Sequence, residues 1–157
     1  NFSKLTNALK NGNIEKLKAE LNKILLENVG IFDISGIYKE QFYHGLMLGL
    51  ILKLRNEYEV SSNGFAGKGR YDLLLKPKNI LKQKEGIIIE LKAVNIDSVK
   101  LSLEKIHEKL ENECEIALKQ IDEKEYISVL RNAGIDEVLK IGIAFFGKEF
   151  EIKFKKE

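Results

Sequence analysis

The chain has 157 residues, 44% of them hydrophobic, with 26 lysines and arginines against 24 aspartates and glutamates and a formal net charge of +2. That length suits one domain with a sizeable core, and ordinary apolar content with a single proline excludes fibrous and disordered classes. The charge balance is too even for bulk electrostatics to mark a nucleic-acid binder.

The chain begins at Asn1 rather than methionine, which reads as a fragment or a processed product. From Phe2 to Glu27 apolar residues recur at helical spacing, with Leu5, Leu9, Ile14, Leu17, Leu21, Ile24 and Leu25 on the apolar side. Asn11-Gly12-Asn13 interrupts them as a C-cap followed by an N-cap, so two helices are expected, and this polar start is no secretory signal. Gly30 to Gly36 reads as a loop, and Ile37 to Arg55 as a further helix with Tyr38, Phe42, Leu46, Gly49 and Leu50 on one side. Its apolar stretch, Leu46 to Leu54, is broken by Gly49 and Lys53 and falls far short of the roughly 20 residues of a membrane span.

The period then changes. Tyr58 to Ser62 is short and extended, and Asn63 to Gly69 is a glycine-rich loop. Tyr71–Lys76 and Ile87–Lys92 read as strands joined by the polar stretch from Pro77 to Glu85. Three consecutive isoleucines after Gly86 suggest a strand covered on both faces, near the sheet centre. Asp97 or Ser98 is placed to cap a long helix running to about Ile121, with Val99, Leu103, Ile106, Leu110 and Ile116 marking its buried side. Cys114 lies on it without an internal disulfide partner, which favours a reducing, cytoplasmic setting and a thiol with no chemical duty. A shorter helix from Glu125 to Asn132 follows, and Val138–Phe146 with Glu149–Phe154 reads as a hairpin turning at Gly147-Lys148. Lysines gather at Lys76, Lys78, Lys82 and Lys84 and again from Lys148 to Lys156, while acidic residues crowd Glu104 to Glu125. The order predicts a mixed α/β domain: a helical arm over residues 1–36 and a compact unit over 37–157.

Polarity appears where a buried strand should have none. Alternation puts Ile87, Ile89 and Leu91 on one face and Ile88, Glu90 and Lys92 on the other. A carboxylate and an ammonium thus share one face of a central strand, where burying either unpaired costs several kcal/mol. If the connection closes symmetrically, Asp72 lies opposite Glu90, with Cβ atoms about 4.5–5.5 Å apart. Two carboxylates at that distance repel, and they are well placed to hold a divalent cation with oxygen ligands. A register shift of one residue would remove the pairing.

Gly67-Lys68-Gly69-Arg70-Tyr71-Asp72, followed by a polar gap and Ile89-Glu90-Leu91-Lys92, resembles the PD-(D/E)xK nuclease superfamily. More narrowly it resembles the nuclease-like domain that follows a predicted AAA-ATPase-like domain in prokaryotic proteins. Upstream, Glu40-Gln41-Phe42-Tyr43-His44 is similar to that family's Glu-x-x-Tyr-His helix. Downstream, Ala117-Leu118-Lys119-Gln120-Ile121 with Tyr126, and the strand Ile141-Gly142-Ile143-Ala144-Phe145, extend the likeness over most of the chain. Tyr71 stands where the superfamily name implies proline, and Lys124 stands where some members place a tyrosine, with Tyr126 two residues further on.

The resemblance implies a restriction-endonuclease-like core, a mixed sheet flanked by helices, and hydrolysis of phosphodiester bonds in nucleic acid, with DNA favoured. It implies Mg²⁺ or Mn²⁺ held by Asp72, Glu90 and the Leu91 carbonyl, with Lys92 orienting the attacking water and offsetting charge on the phosphate. It places Glu40 near a second metal or its water shell, and Gln120 as an orienting or backbone-contacting group. Arg70, Lys68, His44 and Tyr126 become candidate substrate contacts, and the glycine loop a place where a nucleic-acid backbone comes close. An attached ATPase-like domain becomes a candidate partner.

Plainer readings stand beside these. Asp72, Glu90 and Lys92 could form an ion-pair network at a sheet edge, although the isoleucine run argues against an edge. Glu40 and Gln120 could be ordinary solvated residues, His44 could be structural, His107 reads as surface, and the glycines could be turn residues. Two functions remain, a metal-dependent nuclease and a nuclease-fold module that binds nucleic acid or regulates an ATPase without cutting.

Overall fold

The computed structural model describes residues 2–30, 39–96 and 101–157. Helices α1 (Phe2–Lys10) and α2 (Ile14–Asn28) form where the 3.6 periodicity runs, and the Asn13 side chain caps α2 by accepting from the Lys16 amide. Helix α3 (Lys39–Ile51) runs into a single 3-10 turn, Leu52–Leu54. Strand β1 (Tyr58–Ser62) follows, then two short strands, β2 (Phe65–Ala66) and β3 (Gly69–Arg70). Strands β4 (Leu73–Pro77) and β5 (Glu85–Ala93), helices α4 (Leu103–Glu123) and α5 (Ser128–Asn132), and strands β6 (Glu137–Phe146) and β7 (Glu149–Lys156) complete the chain.

Five strands make one sheet in the order β1-β4-β5-β6-β7. Among the described strands of this sheet only the β5–β6 pair is parallel. The isoleucine strand is therefore the middle one, and its apolar run reflects cover on both faces. Ile87, Ile89 and Leu91 join Leu73, Leu75 and Ile141 beneath α1, α2 and α3. Ile88 joins Leu74 and Val138 beneath Leu118, Ile121 and Leu130 of α4 and α5. The arrangement is a mixed α/β sheet flanked by helices, as a restriction-endonuclease-like core requires, and α1 and α2 add their leucines to the sheet's own hydrophobic cluster. Among the described residues no helix is long and apolar enough to cross a membrane.

Several expectations need adjustment. The stretch 63–69 contains the β2–β3 ribbon rather than only a loop, with Phe65 paired to Arg70 and Ala66 to Gly69. Gly67 adopts φ +56 at its turn, and a Cβ there would run into the Lys124 and Glu125 carbonyls. Gly67 thus admits a close approach of the protein's own backbone. The helix expected from Glu125 begins only at Ser128, because Glu125 takes a left-handed φ of 55° that breaks it from α4. Strand β4 starts at Leu73, so Tyr71 and Asp72 precede the ladder.

The long helix starts at Leu103 with Ser102 as its N-cap, while the expected caps Asp97 and Ser98, and Val99, lie outside the described residues, as do Ile37 and Tyr38. Leu103 and Ile116 are exposed, contrary to expectation. The buried side of α4 is instead Ile106, Leu110, Cys114, Ala117, Leu118 and Ile121. Small residues lie there because α4 packs very close to β6. A Cβ built on Gly142 would sit 2.6 Å from the Cys114 carbonyl oxygen and 3.0 Å from the Ala117 Cβ.

That contact yields a test. Gly142→Val should destabilise the fold by roughly 1–3 kcal/mol in urea unfolding, since backbone rather than a flexible side chain must give way. An unchanged midpoint would contradict the close packing of α4 on β6.

Candidate active site

The pairing of β4 with β5 sets the site. Leu73, Leu74 and Leu75 lie opposite Ile89, Ile88 and Ile87, and the same register carried one step further puts Asp72 across from Glu90. The side chains confirm that proximity. The Asp72 amide donates to Glu90 Oε2 at 3.4 Å, and Asp72 Oδ2 accepts from the Leu91 amide at 2.8 Å.

Glu90 is only 3% exposed, on the face covered by α4. Burial pushes its carboxyl well above the usual carboxylate range, the Asp72 charge pushes it further, and the Lys92 ammonium opposes the shift. Gln120, on the inner side of α4, answers both charges with one amide. Its Nε2 donates to Glu90 Oε1 at 3.0 Å, and its Oε1 accepts from Lys92 Nζ at 2.6 Å. The same Nε2 also reaches the Tyr126 hydroxyl at 3.1 Å, and that hydroxyl donates to the Arg70 carbonyl at 2.9 Å.

Asp72 opens onto a cleft of about 530 Å³ that Glu40, Gln41, His44, Gly45, Asn63 and Arg70 also line. Helix α3 supplies Glu40 from its first turn and His44 one turn later, so both face the same wall. The His44 ring is tethered through Nε2, 2.6 Å from Ser62 Oγ. Asp72 and Arg70 line the same cleft, on either side of Tyr71 in the chain.

The structure thus gathers Asp72, Glu90, Lys92 and Gln120 into one hydrogen-bonded group and sets Glu40, His44 and Arg70 around the adjoining cleft. Tyr126 and Lys68 are not among the residues lining this cleft. Tyr126 is 1% exposed and holds Gln120 and the Arg70 backbone from inside. The Lys68 ammonium is 3.4 Å from Glu125, and its amide donates to the Lys124 carbonyl. Gln41, Gly45 and Asn63 line the cleft without having been singled out in the sequence. Gln41 and Gly45 flank the Glu40 and His44 positions on α3, and Asn63 is among the residue types that tolerate its left-handed φ of 54°.

Two carboxylates side by side, one of them buried, suit a hard divalent cation. Among the described residues no cluster of three or more His, Cys, Asp or Glu side chains offers a complete cage. A cation here would take its remaining ligands from backbone, water or substrate oxygens, which is the pattern Mg²⁺ prefers. Backbone is available, because a strand residue directs its N–H and C=O toward the same neighbour, and the Leu91 N–H already points at Asp72.

The description of the PD-(D/E)XK nuclease superfamily matches residues 38–155. The chain belongs to the PD-(D/E)XK nuclease superfamily. No curated protein and no solved structure matches it. Membership carries phosphodiester hydrolysis of nucleic acid as a general activity, with divalent metals as the usual cofactors of the superfamily.

The Glu90 environment has a measurable consequence. A carboxyl whose folded pKa is raised contributes stability below the ordinary carboxylate range, and that contribution is lost as pH climbs toward the raised value. Glu90→Gln keeps the acceptor for Gln120 and carries no charge. In thermal melts without divalent cation it should therefore be more stable than wild type by on the order of 1–3 kcal/mol at pH 8, and nearly equal at pH 4. A variant destabilised at pH 8 but not at pH 4 would show instead that the ionised carboxylate supports the fold.

Proposed function

We propose that this chain is a divalent-metal-dependent nuclease that hydrolyses phosphodiester bonds in DNA, with Asp72, Glu90, Lys92 and Gln120 as its centre. The observation that supports the reading is the Asp72–Glu90 pair, placed side by side across the strands near a tethered ammonium, with Asp72 open to the cleft. Asp72, Glu90 and the Leu91 carbonyl would hold Mg²⁺ or Mn²⁺. The bound ion supplies Lewis-acid polarisation of the phosphoryl oxygen and a more acidic water.

The chain's own residues do the positioning. Lys92, fixed by Gln120, presents its ammonium where negative charge grows on the phosphate and near where the attacking water must sit. Arg70, on the cleft wall, is placed to hold a neighbouring phosphate in a forked contact. Glu40 lines the same cleft as Asp72 and would serve a second cation or its water shell, while His44, steadied by Ser62, shapes the same wall. Lys68 reaches a more distant backbone phosphate when it leaves Glu125. Every residue of this proposed site falls within 37–157, and α1 and α2 buttress the opposite face of the sheet. The absence of a long apolar helix among the described residues and the buried free thiol fit a cytoplasmic enzyme.

Cleavage of circular and linear DNA with Mg²⁺ or Mn²⁺ tests this. Glu90→Ala and Lys92→Ala should each lower the rate at least about 100-fold. No cleavage by a folded wild type that binds metal would favour a binding module, or control by an attached ATPase-like domain. Equal cleavage by all three proteins would place the activity elsewhere.

Gln120 gives a finer readout. Gln120→Ala leaves both ligands in place but frees Lys92, and a loss of roughly 10- to 100-fold is expected, the range seen for groups that orient metal ligands. A loss below about twofold would mean that Lys92 and Glu90 need no help from the helix.

A further inference from the structure

The hydrolytic centre leaves one feature of the cleft rim unused. Phe65 of β2 and Arg70 of β3 are direct cross-strand partners, so their side chains stand on the same face of the ribbon. The other face, at Ala66, is buried with Tyr71, Tyr126 and Leu118. Phe65 is 83% exposed, while Arg70 lines the cleft together with Asp72. A bare aromatic ring therefore flanks a guanidinium that itself flanks the carboxylate pair.

The ribbon that carries them is anchored. The Lys68 amide donates to the Lys124 carbonyl at 2.7 Å, and the Tyr126 hydroxyl donates to the Arg70 carbonyl. The ring is thus offered on a fixed support, which lowers the ordering cost of binding against it.

A ring beside a guanidinium matches one nucleotide: the base for the ring and the phosphate for the cation. In a closed duplex both faces of each base are already stacked, so only an unpaired base has a face to give. A protein partner fits less well, because a single ring between an arginine and a glycine turn makes no apolar groove. We propose that Phe65 stacks on an unpaired base next to the phosphate held by Arg70, so that the strand entering the cleft is single-stranded or frayed DNA; this rests on the nuclease reading of the site.

Fluorescence anisotropy in Ca²⁺ tests it, with a labelled single-stranded oligonucleotide and a covalently closed duplex dumbbell of the same sequence. Phe65→Ala should weaken single-strand binding roughly 5- to 100-fold and change dumbbell binding less than about twofold. Phe65→Tyr should restore the single-strand affinity and Phe65→Leu should not, which separates stacking from mere apolar contact. Unchanged single-strand affinity, an equal loss on both DNAs, full rescue by leucine, or no DNA binding by the wild type would each overturn the proposal. Affinity is read here without cleavage, and the Lys92→Ala cleavage comparison reads the chemistry, so failure of one reading is distinguishable from failure of the other.

Discussion

Two carboxylates placed across one strand pair, one of them almost out of water, would repel each other when both are ionised far more than a surface pair would. Something positive has to share the space, whether a proton or a cation, and the surrounding groups are arranged around that demand. The Leu91 amide supports one oxygen of Asp72, and the Gln120 amide supports one oxygen of Glu90. Lys92 brings its positive charge to the same face, two residues along the strand. Cover on both sides of the sheet keeps solvent from Glu90, while Asp72 remains open to the cleft.

Gln120 works only because α4 comes so near the sheet. In the parallel pairing Gly142 lies directly beside Glu90, and it is at Gly142 that Cys114 and Ala117 touch the strand. A larger residue there would lift the helix, and the amide could no longer span the carboxyl and the ammonium. The Cys114 thiol, donating to the Glu151 carbonyl at 3.1 Å, serves the same tight seam. Its burial pushes the thiol pKa up to about 12, so it packs rather than reacts.

Much of this was legible in the residues, for identifiable reasons. The Asp72–Glu90 pairing could be read because β4 and β5 are local antiparallel neighbours, where the loop midpoint sets the register. The central position of β5 could be read because three isoleucines in a row need cover on both faces. The side of α4 that faces the sheet could not, because close approach selects Cys114 and Ala117, while the bulkier Leu103 and Ile116 stay outside. Nor could the inward turn of Tyr126, which depends on a left-handed Glu125 meeting the Gly67 turn some 58 positions away in sequence (125 minus 67). Long-range backbone contacts of that kind leave no periodic trace.

The hydroxyl of Tyr126 touches both the Gln120 amide and the Arg70 carbonyl. One atom therefore joins the group that steadies the buried charges to the backbone that carries the rim arginine. Neither can drift without straining or breaking a hydrogen bond worth on the order of 1 kcal/mol. A force on the rim is felt at the centre, and a slack rim leaves the centre less ordered. Rim and centre are mechanically geared through that hydroxyl, so a displacement of either is passed to the other.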